Sequence, residues 1–449
     1  MTDAEANLPS FAAAFRVWLR IGLLSFGGPA GQIALLHREV VDQRNWIGER
    51  RFLHALSFCN ILPGPEAQQL AIYLGWMMHG VKGGVAAGVI FVLPGAVVML
   101  ALSLIYALAG QVPVIDALFF GLKSAVLVLV VEALLRIGRR ALKGRVAWIL
   151  AGAAFVALFF LKLPFPAVVL AAGAIGWFFP SHFSHGGHGQ AKHDRPALID
   201  AVLDADPERP ARFAASARRA GFVALVLWLV PVVLLVGLTD GTYADIALFF
   251  SKMAVVTLGG AYAVLAYVAQ DAVESYHWLT APEMLAGLGL AETTPGPLIL
   301  VLQFVGFLAG FRSPGALQGV PGGIVGSILT LWCTFTPCFV FVFLGAPIIE
   351  KLASNVSLSG ALAAITASVV GVVGNLALWF ALQVVFREHK PVRLGYASID
   401  VPIPASIDLA ALALAVLAAL CLFQFKLGVL RTLGITAVAG LVLRFAGNL

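Results

Sequence analysis

Two short chain-breaking motifs occur twice in this 449-residue chain, each time in apolar surroundings. The first is Ser25-Phe26-Gly27-Gly28-Pro29, echoed by Thr257-Leu258-Gly259-Gly260. The second is Leu62-Pro63-Gly64-Pro65, echoed by Thr294-Pro295-Gly296-Pro297. Proline lacks an N–H and clashes with the preceding turn, so Pro-Gly-Pro stops a helix. In a bilayer the freed backbone groups must be met by protein or water. A helix that restarts after such a break presents N–H groups and the positive end of its dipole, which together favour an anion. One helix dipole contributes only about 0.3–2 kcal/mol, whereas removing a small ion from water costs several kcal/mol even after relaxation. Hydrogen bonds to a charged partner add roughly 1.5–3 kcal/mol each. The neighbouring hydroxyls and amides that can supply them are Ser25, Gln32, Asn60, Gln68, Thr257, Thr293, Thr294 and Gln303, and Lys123 and Lys252 are the candidate intramembrane cations. The plainer account is that these glycines and prolines only pack or kink helices.

Two acids adjoin the breaks. Glu66 follows the first Pro-Gly-Pro directly, and Glu292 stands three residues before Pro295, where the first half has Asn60. An ionisable side chain within a membrane is a functional candidate by default. Because a carboxylate repels an oxyanion, Glu66 and Glu292 are assigned to proton coupling, the alternative being that each caps a helix start. Asp116 and Glu132 are also flanked by apolar residues; Asp116, after Pro113, reads as a helix-start acid. Four histidines between 182 and 193 (His182, His185, His188 and His193) are irregularly spaced and read as loop residues rather than metal ligands. There is no phosphate-binding loop, no GxSxG and no HExxH, so neither an ATP-driven pump nor a hydrolase is indicated. The four cysteines lie in apolar stretches without a CxxC pair. No enzyme activity, cofactor or metal is expected.

The surrounding elements must be membrane helices. Hydrophobic residues make up 60% of the chain and charged residues 12%, against about 25% charged in a soluble domain, and the mean hydropathy is +0.95. Lipid is therefore the expected solvent. The net charge of +6 is concentrated in a few loops, which fits the positive-inside rule rather than nucleic-acid binding. Residues 1–10 lack a basic start and a small-residue cleavage site, so no cleaved signal is expected. The apolar stretches 146–180 and 405–446 each break, at Leu163–Pro166 and Gln424–Lys426, and read as two short crossings apiece. Residues 181–219 are polar and read as a solvated cytoplasmic linker.

Shifted by 232 positions, residues 25–65 align with 257–297 without a gap, with ten identities that include Trp46 on Trp278. The chain is thus read as a first repeat over 11–180 and a second over 220–446. Loop 37–51 carries Arg38, Arg44, Arg50 and Arg51; its counterpart has no Lys or Arg but carries Asp271, Glu274 and Glu283. Loop 136–145 is basic as well, and Arg387, Lys390 and Arg393 form the one basic group on the wrong side of this scheme. Opposite charge in matched loops is the signature of inversion, with a site near the bilayer midplane. The expected fold is an all-α polytopic membrane protein of two inverted-topology repeats, whose broken helices are re-entrant or, alternatively, cross fully.

The ordered set SFGGPAGQ, NILPGPEAQQLAIYLGW, an LPG at Leu93–Gly95 and ETTPGPLILVLQFVGF resembles the long, two-domain members of the chromate ion transporter family. The resemblance covers about 11–160 and 220–446. It implies a secondary transporter that exports chromate across the bacterial inner membrane, confers chromate resistance and is tied to sulfate-like oxyanions; an anion channel or a carrier of another small anion is the alternative. Family motif positions fall on Gly27, Gly28, Pro29, Pro63, Gly64 and Pro65, and on Gly259, Gly260, Pro295, Gly296 and Pro297. The second repeat departs from the pattern, with Ala261 in place of Pro29 and Cys338 in place of Gly95. Expected partners are the oxyanion, membrane lipid and a second copy of the chain, given the commonness of two-fold assemblies.

Overall fold

Glycine and proline determine where the helices stop. The computed structural model describes residues 8–110, 112–183, 197–206, 208–256, 261–314, 317–346, 355–394 and 397–446. In the first half, α1 (Phe11–Leu24) and α2 (Gly28–His37) are separated by the Phe-Gly-Gly break. α3 (Glu49–Cys59) and α4 (Glu66–Ala109) are separated by the first Pro-Gly-Pro. α5 (Pro113–Ala141), α6 (Arg145–Phe159) and α7 (Phe165–Phe178) follow. α8 (Leu198–Ala205) and α9 (Arg209–Leu238) lead into the second half. That half comprises α10 (Thr242–Val256), α11 (Ala261–Gln270), α12 (Ala281–Thr293), α13 (Val301–Arg312), α14 (Val320–Gly345), α15 (Val356–Val385), α16 (Leu409–Ala419) and α17 (Val429–Ala446). Six of these, α4, α5, α9, α14, α15 and α17, are long and apolar enough to cross a membrane. The chain is an all-α polytopic membrane protein with one addition, a hairpin of β1 (His389–Leu394) and β2 (Ala397–Pro402) paired antiparallel. Beside it, Arg387 bonds Asp408 at the start of α16, so this basic group has a local structural use.

The succession of elements recurs. The π-helical turn Arg38–Asp42 after α2 has a counterpart, Asp271–Ser275, after α11. Left-handed residues recur at the 232-residue separation: Asn45 (φ 49°) with His277 (φ 52°), and Gly64 (φ 117°) with Gly296 (φ 94°). The expected short crossings are α6 and α7, and α16 and α17, divided at Lys162 (φ 52°) and Lys426 (φ 51°).

Two compact units each draw on both halves of the sequence. The first contains the described residues among 1–100, 186–261 and 294–355; the second contains those among 101–185, 262–293 and 356–449. In the first unit α4 leaves helical geometry at His79 and Gly80, and the chain folds back so that Gly75 lies on Gly83 and Ile72 on Gly84 and Gly88. α13 and α14 form a similar close pair, with Gly306 against Gly326 and Gly310 against Gly322. Small residues let the backbones approach where lipid provides no hydrophobic drive between helices. In the second unit α15 packs on α5, α6 and α7, and α5 packs on α17.

The linker differs from expectation. His185, His188 and His193 lie outside the described residues. Residues 198–205 form α8, with Ile199 and Val202 fully buried. The N–H groups of Leu198 and Ile199 donate to the carbonyls of Asn45 and Trp46, both at 3.1 Å, and Arg51 pairs with Asp200. Two apolar side chains one turn apart, these two backbone bonds and the ion pair together dock this polar segment. α9 then runs unbroken from Arg209, through the expected repeat boundary at 219/220.

Candidate functional site

Within the first unit, the second Pro-Gly-Pro is clipped to the first Phe-Gly-Gly break. Gly27 (φ 88°) and Gly28 (φ 68°) adopt left-handed backbone that stops α1 and lets α2 restart with Pro29 in its first turn. The carbonyl of Ser25, left without a helical partner, accepts the N–H of Gly296 at 2.7 Å. One turn into α2, the buried Gln32 donates its amide to the Gly296 carbonyl at 2.5 Å. Both backbone polar groups of Gly296 are thus satisfied by the opposite sequence half, as a break inside lipid requires.

The Leu-Pro-Gly motif forms the floor of this junction. A Cβ on Gly95 would lie 2.0 Å from the Pro295 carbonyl oxygen and 2.6 Å from Leu300. No other residue type fits there without displacing the break. At the next residue of α4 the Ala96 carbonyl accepts Gln303 Nε2 at 2.9 Å, and the same amide reaches Ser327 Oγ at 2.9 Å. α1 is pressed onto this helix as well, since a Cβ on Gly22 would lie 2.4 Å from the Ile90 carbonyl.

The first Pro-Gly-Pro makes a matching contact with the second half. A Cβ on Gly64 would stand 3.1 Å from Cys338 Sγ, and Cys338 occupies the position corresponding to Gly95. Gln69 Nε2 donates to the Pro63 carbonyl at 2.5 Å, and Gln68 Nε2 reaches the Gly88 carbonyl at 3.4 Å. Each Pro-Gly-Pro therefore rests on the α4 or α14 motif of the other half. Thr257, Gly259 and Gly260 lie outside the described residues.

The junction is polar and buried. Ser25, Gln32, Gln68, Gln69, Thr294 and Gln303 are all buried. Among the described residues, Ser25 Oγ, Gln68 Oε1, Gln69 Oε1, Gln303 Oε1 and Thr334 Oγ1 are buried without a hydrogen-bond partner.

Not every expected residue belongs to this junction. Asn60 ends α3 exposed, and Lys252 is exposed on α10. Lys123 lies on α5 in the second unit. Thr293 bonds back to the Leu290 carbonyl at 2.8 Å. Glu66 opens α4, where an acid complements the helix dipole. Glu292 does not cap a helix start: it falls in the last turn of α12, where the dipole disfavours an acid. Its Oε1 accepts from Tyr262 Oη at 3.1 Å. Arg136, expected in a basic loop, is instead part of α5 and grips Glu132. The i,i+4 spacing of Glu132 and Arg136 was the available signal. Nothing in the spacing pointed to Tyr262 or to the tight seat of Gly95.

The sequence profile of the family described as "Chromate transporter" matches residues 12–177 and 244–442. The "Chromate transport protein" of Pseudomonas aeruginosa is 33% identical over 378 residues, 83% of this chain and 82% of its own. The "Chromate transport protein" of Cupriavidus metallidurans is 26% identical over 359 residues, 79% of each chain. The "Probable chromate transport protein" of Synechococcus elongatus is 26% identical over 359 residues, 80% of this chain and 81% of its own. No solved structure matches the chain.

Proposed function

We infer that the protein carries chromate, or a sulfate-like tetrahedral oxyanion, as a secondary transporter, from a premise that the matches establish: the chain belongs to the chromate transporter family. The observation that carries the reading to particular residues is the junction of Gly296 with Ser25 and Gln32. There, two helices restart from broken backbone in a buried, hydroxyl- and amide-lined setting. An oxyanion is recognised by helix-start N–H groups aided by hydroxyls and amides rather than by a full countercharge. Ser25, Gly27, Gly28, Pro29, Gln32, Gln68, Thr294, Pro295, Gly296 and Pro297 are the residues assigned to it on the described side. Pro63, Gly64 and Pro65 are assigned to the corresponding junction of the other half.

The direction proposed is export across the bacterial inner membrane, with chromate resistance as its consequence. Moving one charge across 100 mV is worth about 2.3 kcal/mol, so a dianion leaving a negative interior gains about twice that. An inverted-repeat, alternating-access cycle is the proposed mode. The test is chromate uptake into inverted membrane vesicles, with sulfate as competitor and an uncoupler as control. Saturable uptake that is inhibited by sulfate and lost in Gly296→Ala supports the site. Absence of uptake under every gradient removes chromate as the substrate.

A further inference from the structure

A cleft between α9 and α14, both in the first unit, shares no residue with the Pro-Gly-Pro junctions. At one end the two helices are pressed together: a Cβ on Gly221 would lie 2.6 Å from Leu344 Cδ2. Further along, Pro231 sits inside α9. Proline has no N–H to give, so the Leu227 carbonyl four residues earlier loses its helical partner. Trp332 of α14 takes that place, its Nε1 donating to the Leu227 carbonyl at 3.0 Å. Beyond this bolt the helices leave a cleft of about 460 Å³ between them, within the range of about 300–1,000 Å³ usual for ligand sites.

The cleft is amphipathic along its length. Leu235, Val325, Ile328 and Leu329 line its apolar part, whereas Thr239, Asp240 and Tyr243 lie together where α9 ends and α10 begins. Tyr243 Oη donates to the Leu317 carbonyl at 3.3 Å and braces this polar end. From Pro231 to Thr239 the chain rises about 12 Å, close to the roughly 15 Å of hydrocarbon in one leaflet. Ile328 is 57% exposed, and α9 is the least buried of the six long spans, so the cleft opens on the lipid-facing surface. Among the described residues, Asp240 is the only charged side chain in the lining. Neither α14 nor residues 221–238 of α9 carry a charge. The carbonyl end of the α9 dipole lies at the same place and also favours a cation. Asp245, in the first turn of α10, has the same sign as Asp240, and Arg312, at the end of α13, is not part of the lining.

We propose that this cleft binds one acyl chain of a phospholipid whose headgroup carries a free ammonium, the chain lying between α9 and α14 and the ammonium against the Asp240 carboxylate. An acyl chain matches the apolar length of the cleft, and an ammonium matches a single carboxylate at the membrane surface. An anionic headgroup would meet Asp240 and the end of the α9 dipole as like charges. A second copy of the chain packed through the same face fits less well. A two-fold contact repeats the same residues on both sides, and these two helix faces bring no cation to Asp240. The site does not depend on which anion the protein carries.

The test places the purified full chain in phosphatidylcholine nanodiscs with a rising mole fraction of dibrominated phosphatidylethanolamine or dibrominated phosphatidylglycerol. Bromine on the acyl chain quenches an indole that it touches, and subtracting the signal of Trp332→Phe isolates Trp332 from the other tryptophans. In the wild type, half-maximal quenching of Trp332 is expected at an about two- to fivefold lower mole fraction of the ethanolamine lipid than of the glycerol lipid. Asp240→Asn removes that preference and Asp240→Lys reverses it, with quenching itself retained in both. Val325→Phe, which narrows the cleft from an exposed wall, weakens quenching by both lipids. Equal quenching by the two lipids in the wild type, or an unchanged preference in Asp240→Asn, overturns the proposal and leaves ordinary boundary lipid. A wild-type preference for the glycerol lipid overturns it in favour of an anionic lipid. Trp332 shielded from both lipids in discs that hold two protein copies overturns it in favour of a second copy of the chain.

Discussion

Gly95→Ala is the substitution for which the structure makes the sharpest demand. The new Cβ would stand 2.0 Å from the Pro295 carbonyl oxygen and 2.6 Å from Leu300 Cδ1. A non-bonded carbon needs more than 3 Å, so the Pro295 backbone must retreat by about 1 Å. Alanine is the better helix former by about 1 kcal/mol, while overpacking costs about 1–3 kcal/mol. The two terms nearly offset, and the folded protein survives. The displaced Pro-Gly-Pro does not keep its contacts. The Ser25–Gly296 bond of 2.7 Å and the Gln32–Gly296 bond of 2.5 Å share its backbone, and each contributes about 0.5–1.5 kcal/mol net. Losing both removes roughly the 1.4 kcal/mol that corresponds to a factor of ten. Initial chromate uptake in vesicles, normalised to protein inserted, is therefore expected to fall at least about tenfold. Gly152→Ala, on α6 with nothing within 4 Å of its Cβ, should leave uptake unchanged. Uptake in Gly95→Ala within about twofold of wild type would refute the reasoning, because the Pro295 seat would then be irrelevant to transport.

Other perturbations follow from the same geometry. Gln32→Leu preserves bulk but strands the buried Gly296 carbonyl at a cost of about 1–3 kcal/mol, to be seen as a lower melting temperature in detergent together with reduced uptake. Gly326→Ala would place a Cβ 2.2 Å from the Gly306 carbonyl and should open the α13–α14 pair, lowering the yield of monodisperse protein by size-exclusion chromatography. Asp408 caps α16 by accepting from Ala410 and Ala411 N–H at 3.1 and 3.0 Å. Burial pushes its carboxyl up, but the Ala411 N–H, Arg387 and the Ala410 N–H outweigh burial and hold it below the usual carboxylate value. Its stabilising contribution is therefore complete above about pH 4 and is lost as pH falls through the lower folded value. In a melting series from pH 6 to pH 3, Asp408→Ala should lose its deficit relative to wild type at the acid end.

The helix breaks were legible locally. Gly27, Gly28, Gly64 and Gly296 sit where an L side chain is strained, and Pro-Gly-Pro cannot continue a helix, so each break is a property of a few adjacent residues. The division of 145–178 and of 409–446 into paired short helices was equally readable. Sequence distance from Pro295 cannot say that Glu292 ends one helix rather than beginning another. Arg136 looked like loop charge because basic residues follow it, whereas α5 runs on to Ala141.

The amino-acid sequence by itself determined the solvent, the helices, the places where they break and the recurrence of those breaks 232 residues apart. All of these follow from apolar content and from backbone rules acting over fewer than about ten residues. Tertiary structure decided which break meets which. Gly296 lies on Ser25 and Gln32, Pro295 on Gly95, and Gly64 beside Cys338, pairings separated by more than two hundred residues. It also placed Glu292 with Tyr262 from a neighbouring helix, in the same unit as the Glu132–Arg136 pair. Such pairings depend on close packing and on satisfying every buried polar group at once, and neither condition can be evaluated until distant segments share the same space.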